Sequence, residues 1–102
     1  IVGFFQKNET VTSIDLRQNR IDKEGAKAIV GFFQKNETVT SIDLSKNFIS
    51  DDGARAIAEV LLSNKTLTHI NLSNNNITTV ITEPLQNNQT LTSIDLSENT
   101  IN

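Results

Sequence analysis

A pattern of eleven residues recurs at Val11, Val39, Leu67 and Leu91, with offsets of 28, 28 and 24 residues. In its second copy it reads Val39-Thr40-Ser41-Ile42-Asp43-Leu44-Ser45-Lys46-Asn47-Phe48-Ile49. Apolar residues and one Asn keep their places in every copy, as Val11, Ile14, Leu16, Asn19 and Ile21 do in the first. A repeat of this length marks supersecondary units that bury their apolar faces only by stacking on one another. The 102 residues therefore divide into a partial repeat at 1–10, repeats at 11–38, 39–66 and 67–90, and a partial repeat at 91–102. Residues 1–16 are identical to residues 29–44, which favours a recent tandem duplication over deliberate assembly. Both ends are expected to be cuts through a longer array, and Ile1, Val2 and Phe5 to belong to half of a helix. Such uncapped ends predict head-to-tail self-association.

Within each unit the periodicity changes from two to 3.6. Ser13, Ile14, Asp15, Leu16 and Arg17 alternate, which predicts a short strand with Ile14 and Leu16 inward. Long crossovers between copies, without a hairpin turn signal, predict parallel pairing. Asn19, Asn47, Asn75 and Asn99 fall where each strand turns away, and an amide there is expected to bond backbone on its own turn and the next, forming a ladder. Asp22 and Ser50 are predicted N-caps, and Asp51 and Asp52 suit a helix N-terminus. Ala26, Ile29, Val30 and Phe33, then Ala54, Ile57, Ala58 and Leu61, give each helix one buried stripe. The third unit departs from this plan. It is four residues shorter and carries the only proline, Pro84, so a short helix near Thr82 or a 3₁₀ turn is expected there.

The pattern L-x-x-L-x-L-x-x-N-x-L, with Val or Ile allowed for Leu, resembles a leucine-rich repeat. Gly25-Ala26 and Gly53-Ala54 within 28-residue units resemble the ribonuclease-inhibitor class over residues 11–66. The resemblance implies an α/β solenoid, a right-handed superhelix with a parallel concave sheet and convex helices. It also implies a non-catalytic scaffold that binds a protein along the concave strands. The alternative is a regulatory or sensor repeat region of a larger GTPase-activating or innate-sensor protein.

Stacked strands about 4.8 Å apart align their outward residues into columns. These columns are Ser13, Ser41, His69 and Ser93; Asp15, Asp43, Asn71 and Asp95; and Arg17, Ser45, Ser73 and Ser97. They form the candidate partner-binding face. Like charges one strand apart repel by roughly 1 kcal/mol when solvated, so the Asp column either serves a basic partner segment or, as the duplication favours, is simply the repeated solvated residue of the motif. His69 with neighbouring Ser and Asp offers the residue types of a hydrolytic triad, but an open sheet supplies neither an oxyanion site nor a water-excluding pocket. A flat Asp column offers too few oxygens for Ca²⁺, and no cofactor is expected. Asn-x-Ser/Thr sequences at Asn8, Asn36, Asn64 and Asn88 occupy one equivalent place, with others at Asn71 and Asn76, and the repeat accounts for them better than glycosylation does.

Composition narrows the function classes further. With no Cys there is neither a disulfide framework nor a thiolate site. A net charge of −3 with scattered basic residues gives no footprint for nucleic acid or an anionic membrane. Without a long apolar run or a signal segment, the chain reads as soluble and cytoplasmic.

Overall fold

The computed structural model describes residues 11–78 and 90–100. Its elements follow the order β1 (Ser13–Asp15), α1 (Lys23–Lys35), β2 (Ser41–Asp43), α2 (Ser50–Ser63), β3 (His69–Asn71) and β4 (Ser93–Asp95). The four strands form one sheet in the order β1-β2-β3-β4, and every pair is parallel. Equivalent residues face one another, so Ile14, Ile42, Ile70 and Ile94 stand in a row. The fold is thus a leucine-rich-repeat solenoid of the α/β type, with helices on one face of a parallel sheet. Val80, Pro84 and the turn expected near Thr82 lie outside the described residues, as do Ile1, Val2 and Phe5.

Both helices pack as local chemistry dictates, and α1 also begins as it dictates. Asp22 caps α1, its Oδ1 accepting the Gly25 N–H at 3.0 Å. Glu24 in the first turn and Lys35 in the last oppose the helix dipole. The predicted stripe is buried at Ala26, Ile29 and Phe33, but Val30 is only half-buried and Phe32 joins the core instead. Phe32 and Phe33 meet edge to face, their centroids 5.0 Å apart. In α2 the residues Ala54, Ile57, Ala58 and Leu61 are all buried, and Val60 widens the stripe.

Ser50 does not cap α2. That helix follows Ile49 without a side-chain cap, and Ser50 itself has φ 59° and donates its N–H to the Asn75 carbonyl at 2.9 Å. The reason lies two residues earlier. The first and third turns take left-handed backbone at Arg20 and Asn76, where the second has Phe48. A bulky aromatic side chain suits φ > 0 poorly, so the second turn reverses at Ser50 instead.

Close approach explains the Gly-Ala steps. A Cβ on Gly25 would stand 2.8 Å from Ile21 Cγ2. One on Gly53 would stand 2.6 Å from Ile49 Cγ2 and 3.1 Å from the Ala26 Cβ of the neighbouring helix. The tightest contact is thus with the isoleucine that leads into the same helix, and only secondarily with the adjacent repeat.

The asparagine ladder binds its own turn and the preceding one, the reverse of the expected direction. Asn47 Oδ1 accepts from the N–H groups of Asn19 at 2.8 Å and Ile21 at 2.9 Å, while its Nδ2 donates to the carbonyls of Leu16, Leu44 and Ser45. Asn75 reaches back in the same way, accepting from Ile49 and donating to Leu44, Leu72 and Ser73. Asn99 accepts from Asn75 and Ile77. The direction follows from geometry: the side chain projects toward backbone already laid down by the earlier turn. Asn19 is exposed and its Nδ2 donates to the Arg17 carbonyl within its own turn.

Candidate functional site

The outward residues of the strands form the columns expected from the spacing. Ser13, Ser41, His69 and Ser93 lie in register, as do Asp15, Asp43, Asn71 and Asp95. Ser13, Asp15, Arg17, His69, Ser93, Asp95 and Ser97 are exposed, and Ser41, Asp43, Asn71 and Ser73 are half-buried. Ser45 departs from expectation. It is 6% exposed, so a partner cannot read its side chain directly.

The acidic column has a local role in shaping the turns. Each of its members accepts the N–H of the residue two positions on: Asp15 from Arg17 at 3.1 Å, Asp43 from Ser45, Asn71 from Ser73 and Asp95 from Ser97, each of the last three at 2.9 Å. A short side chain ending in oxygen is what such a turn requires, and Asn71 serves as well as Asp. Asp15 is further paired with the Arg17 guanidinium at 3.2 Å. The Ser97 hydroxyl and then its N–H hold the Asp95 carboxyl below the ordinary carboxylate range, against a small opposing effect of burial. The column therefore needs no basic partner to account for it.

His69 is exposed on the open sheet, with Nδ1 2.8 Å from the Thr68 hydroxyl. Ser41 and Ser93 are its strand neighbours. Among them, no group of His, Cys, Asp and Glu is placed to hold a metal ion. No helix among them is long and apolar enough to cross a membrane.

A second asparagine row emerges at the opposite ends of the strands. Asn36 Oδ1 accepts from Thr38 and Val39 at 3.0 and 2.8 Å, and Asn64 Oδ1 accepts from Thr66 and Leu67 at 3.0 and 2.7 Å. Asn64 Nδ2 also donates to the Phe33 carbonyl of the preceding helix at 3.2 Å. Both side chains are buried, at 5% and 7% exposure. The Asn-x-Thr sequences at these positions are thus turn chemistry: Asn ends the helix and starts the strand, and Thr38 Oγ1 donates to the Val11 carbonyl of the previous repeat. Asn8 and Asn88 lie outside the described residues. A third row joins the strand entries, Thr40, Thr68 and Thr92 each donating a hydroxyl to the carbonyl of the preceding threonine. The sequence signal for these rows is the constant phase of Asn-x-Thr-apolar-Thr before each strand.

Repeats whose buried asparagines and strand columns lie in register define a protein of stacked leucine-rich units. The leucine-rich repeat model matches residues 7–30, 35–58, 63–84 and 87–102, and the chain belongs to that family. It is similar to the structure of leiomodin-1 actin-binding site 2, with 31% identity and a TM-score of 0.88 over 93% of this chain and 58% of that one. It is also similar in fold to the tropomodulin C-terminal domain of Caenorhabditis elegans, with 17% identity and a TM-score of 0.77 over 96% of this chain and 62% of that one. The chain thus spans less than two thirds of either structure. No curated protein sequence matches it.

Proposed function

We propose that this chain is a non-catalytic protein-binding scaffold that meets its partner along the exposed face of its sheet. The observation that carries this reading is the open run of four parallel strands, which presents in-register polar columns to solvent. Short side chains there leave backbone and hydroxyl groups accessible to a broad partner surface. The similarity to leiomodin-1 actin-binding site 2 makes actin the first partner to test.

The test is binding to monomeric actin by fluorescence anisotropy and to filaments by co-sedimentation. Ser13→Arg and Ser93→Arg place bulky side chains on exposed strand positions without touching the core. Binding that both substitutions weaken supports the face. Binding that neither affects moves the contact elsewhere, and no binding to either form of actin removes actin as the partner.

A further inference from the structure

The turns that leave the four strands stack into a ridge along one edge of the sheet face. Backbone bonds tie them together: the Gln18 N–H donates to the Ser45 carbonyl, Lys46 to Ser73 and Asn74 to Ser97, at 3.0 to 3.1 Å. Charge along this ridge is uneven. Arg17, Arg20 and Lys46 stand on its first two turns, against Glu98 on the last, in a chain whose net charge is −3. Arg17 is paired with Asp15, whereas Arg20 and Lys46 are exposed and make no ion pair among the described residues.

Phe48 belongs to the second of these turns and is 56% exposed. Its column otherwise holds Arg20, Asn76 and Thr100, so an apolar residue here breaks a polar series. The backbone fixes its position: the Phe48 N–H donates to the Ile21 carbonyl at 2.8 Å, and the preceding Asn47 side chain holds Asn19 and Ile21 on either side of Arg20. The second turn also moves its left-handed residue to Ser50, so sequence and backbone depart from the repeat together. Nearby carboxylates have partners of their own. Asp22 accepts from Gly25, Asp51 from Thr78, and Asp52 pairs with Arg55.

The geometry points to the ridge around Phe48 as a docking site for an acidic protein segment that carries an apolar side chain. Phe48 covers the apolar side chain, and Arg20 and Lys46 receive the carboxylates. This inference rests on the reading of the chain as a protein-binding scaffold, and it centres the contact beside the strand columns.

The test uses short fluorescein-labelled peptides of three kinds: Asp and Glu flanking a central Leu-Leu, the same acids flanking Ser-Ser, and Lys flanking Leu-Leu. Three variants borrow residues that this chain already carries at equivalent places, namely Phe48→Thr, Arg20→Asn and Lys46→Asn, and circular dichroism checks that each is folded. The acidic Leu-Leu peptide is expected to bind tightest. Phe48→Thr should weaken it about tenfold, and each charge substitution about threefold at low salt, while Glu59→Ala, on the exposed side of α2, leaves affinity unchanged. Equal binding of the Lys peptide, unchanged affinity in Phe48→Thr, or no binding at about 1 mM would overturn the ridge as a docking site. Actin binding that survives all three ridge variants but is lost in Ser13→Arg would overturn the ridge and leave the scaffold reading intact.

Discussion

Asn47 Oδ1 accepts the N–H of Ile21 at 2.9 Å, a bond across 26 positions of sequence that fastens one repeat to the one before it. The same amide satisfies four further backbone groups and is 2% exposed. Backbone donors and acceptors left unsatisfied in a buried place cost roughly 1 to 3 kcal/mol each, so Asn47→Ala is expected to destabilise by about 3 kcal/mol or more. Glu59→Ala, on the exposed side of α2, should stay within about 0.5 kcal/mol. Urea unfolding of both variants makes the comparison, and equal midpoint shifts would remove the ladder's role. Asn74 is a poor neutral control although it lies off the ladder. Its φ is 56°, and Asn tolerates that conformation better than Ala does.

The two kinds of glycine in this chain should respond in opposite directions. Gly53→Ala drives a methyl to 2.6 Å from Ile49 Cγ2 and against Ala26, and such overpacking typically costs about 1 to 3 kcal/mol. Gly31 lies within α1, and a Cβ there meets nothing within 4 Å. Gly31→Ala should therefore stabilise by roughly 0.5 to 1 kcal/mol, because alanine loses less backbone entropy in a helix. Thermal melts of the pair decide it: a lower Tm for Gly31→Ala, or an unchanged Tm for Gly53→Ala, contradicts the packing described.

Left-handed backbone precedes each ladder asparagine, at Gln18, Lys46, Asn74 and Glu98. Only the third turn places an asparagine there. The left-handed region is unfavourable for ordinary L-residues by roughly 1 to 2 kcal/mol and less so for Asn, so Lys46→Asn should stabilise the fold by up to about 1 kcal/mol. A denaturant midpoint below that of the parent chain would show that the lysine side chain contributes more than its backbone conformation loses.

Much of the architecture was legible because the repeat states each rule several times. Ile14 and Leu16 alternate, Asp22 stands where a helix must start, and Asn47 recurs as Asn75 at the same spacing from a Leu-Ser step before it and an Ile after it. What escaped was local or singular. Ser45 looks like its column mates, and no pattern within one unit records that it alone of the four is buried. The spacing assigned Asn36 and Asn64 to the repeat rather than to glycosylation, but not the bonds they make, which belong to a turn that needs an acceptor followed by a hydroxyl. The shift of the left-handed residue to Ser50 depends on Phe48, a departure from the repeat whose backbone consequence follows only when the whole turn is built.

Asp95 provides the pH test. The Ser97 hydroxyl, followed by the Ser97 N–H, favours the ionised carboxyl and lowers its pKa below the ordinary value of 3.8, while slight burial acts in the opposite sense. A carboxyl whose folded pKa is depressed adds stability above its unfolded value, and that contribution is lost as pH falls through the folded value. Side-chain carbonyl NMR should accordingly give Asp95 a midpoint below 3.8, and Ser97→Ala should raise it by removing the largest of the three effects. Asp95→Asn keeps an oxygen for the Ser97 N–H, as Asn71 does for Ser73, and should preserve the turn while removing this titration. A midpoint at or above 3.8 in the parent chain, or no rise in Ser97→Ala, would show that Ser97 does not hold the charge in place.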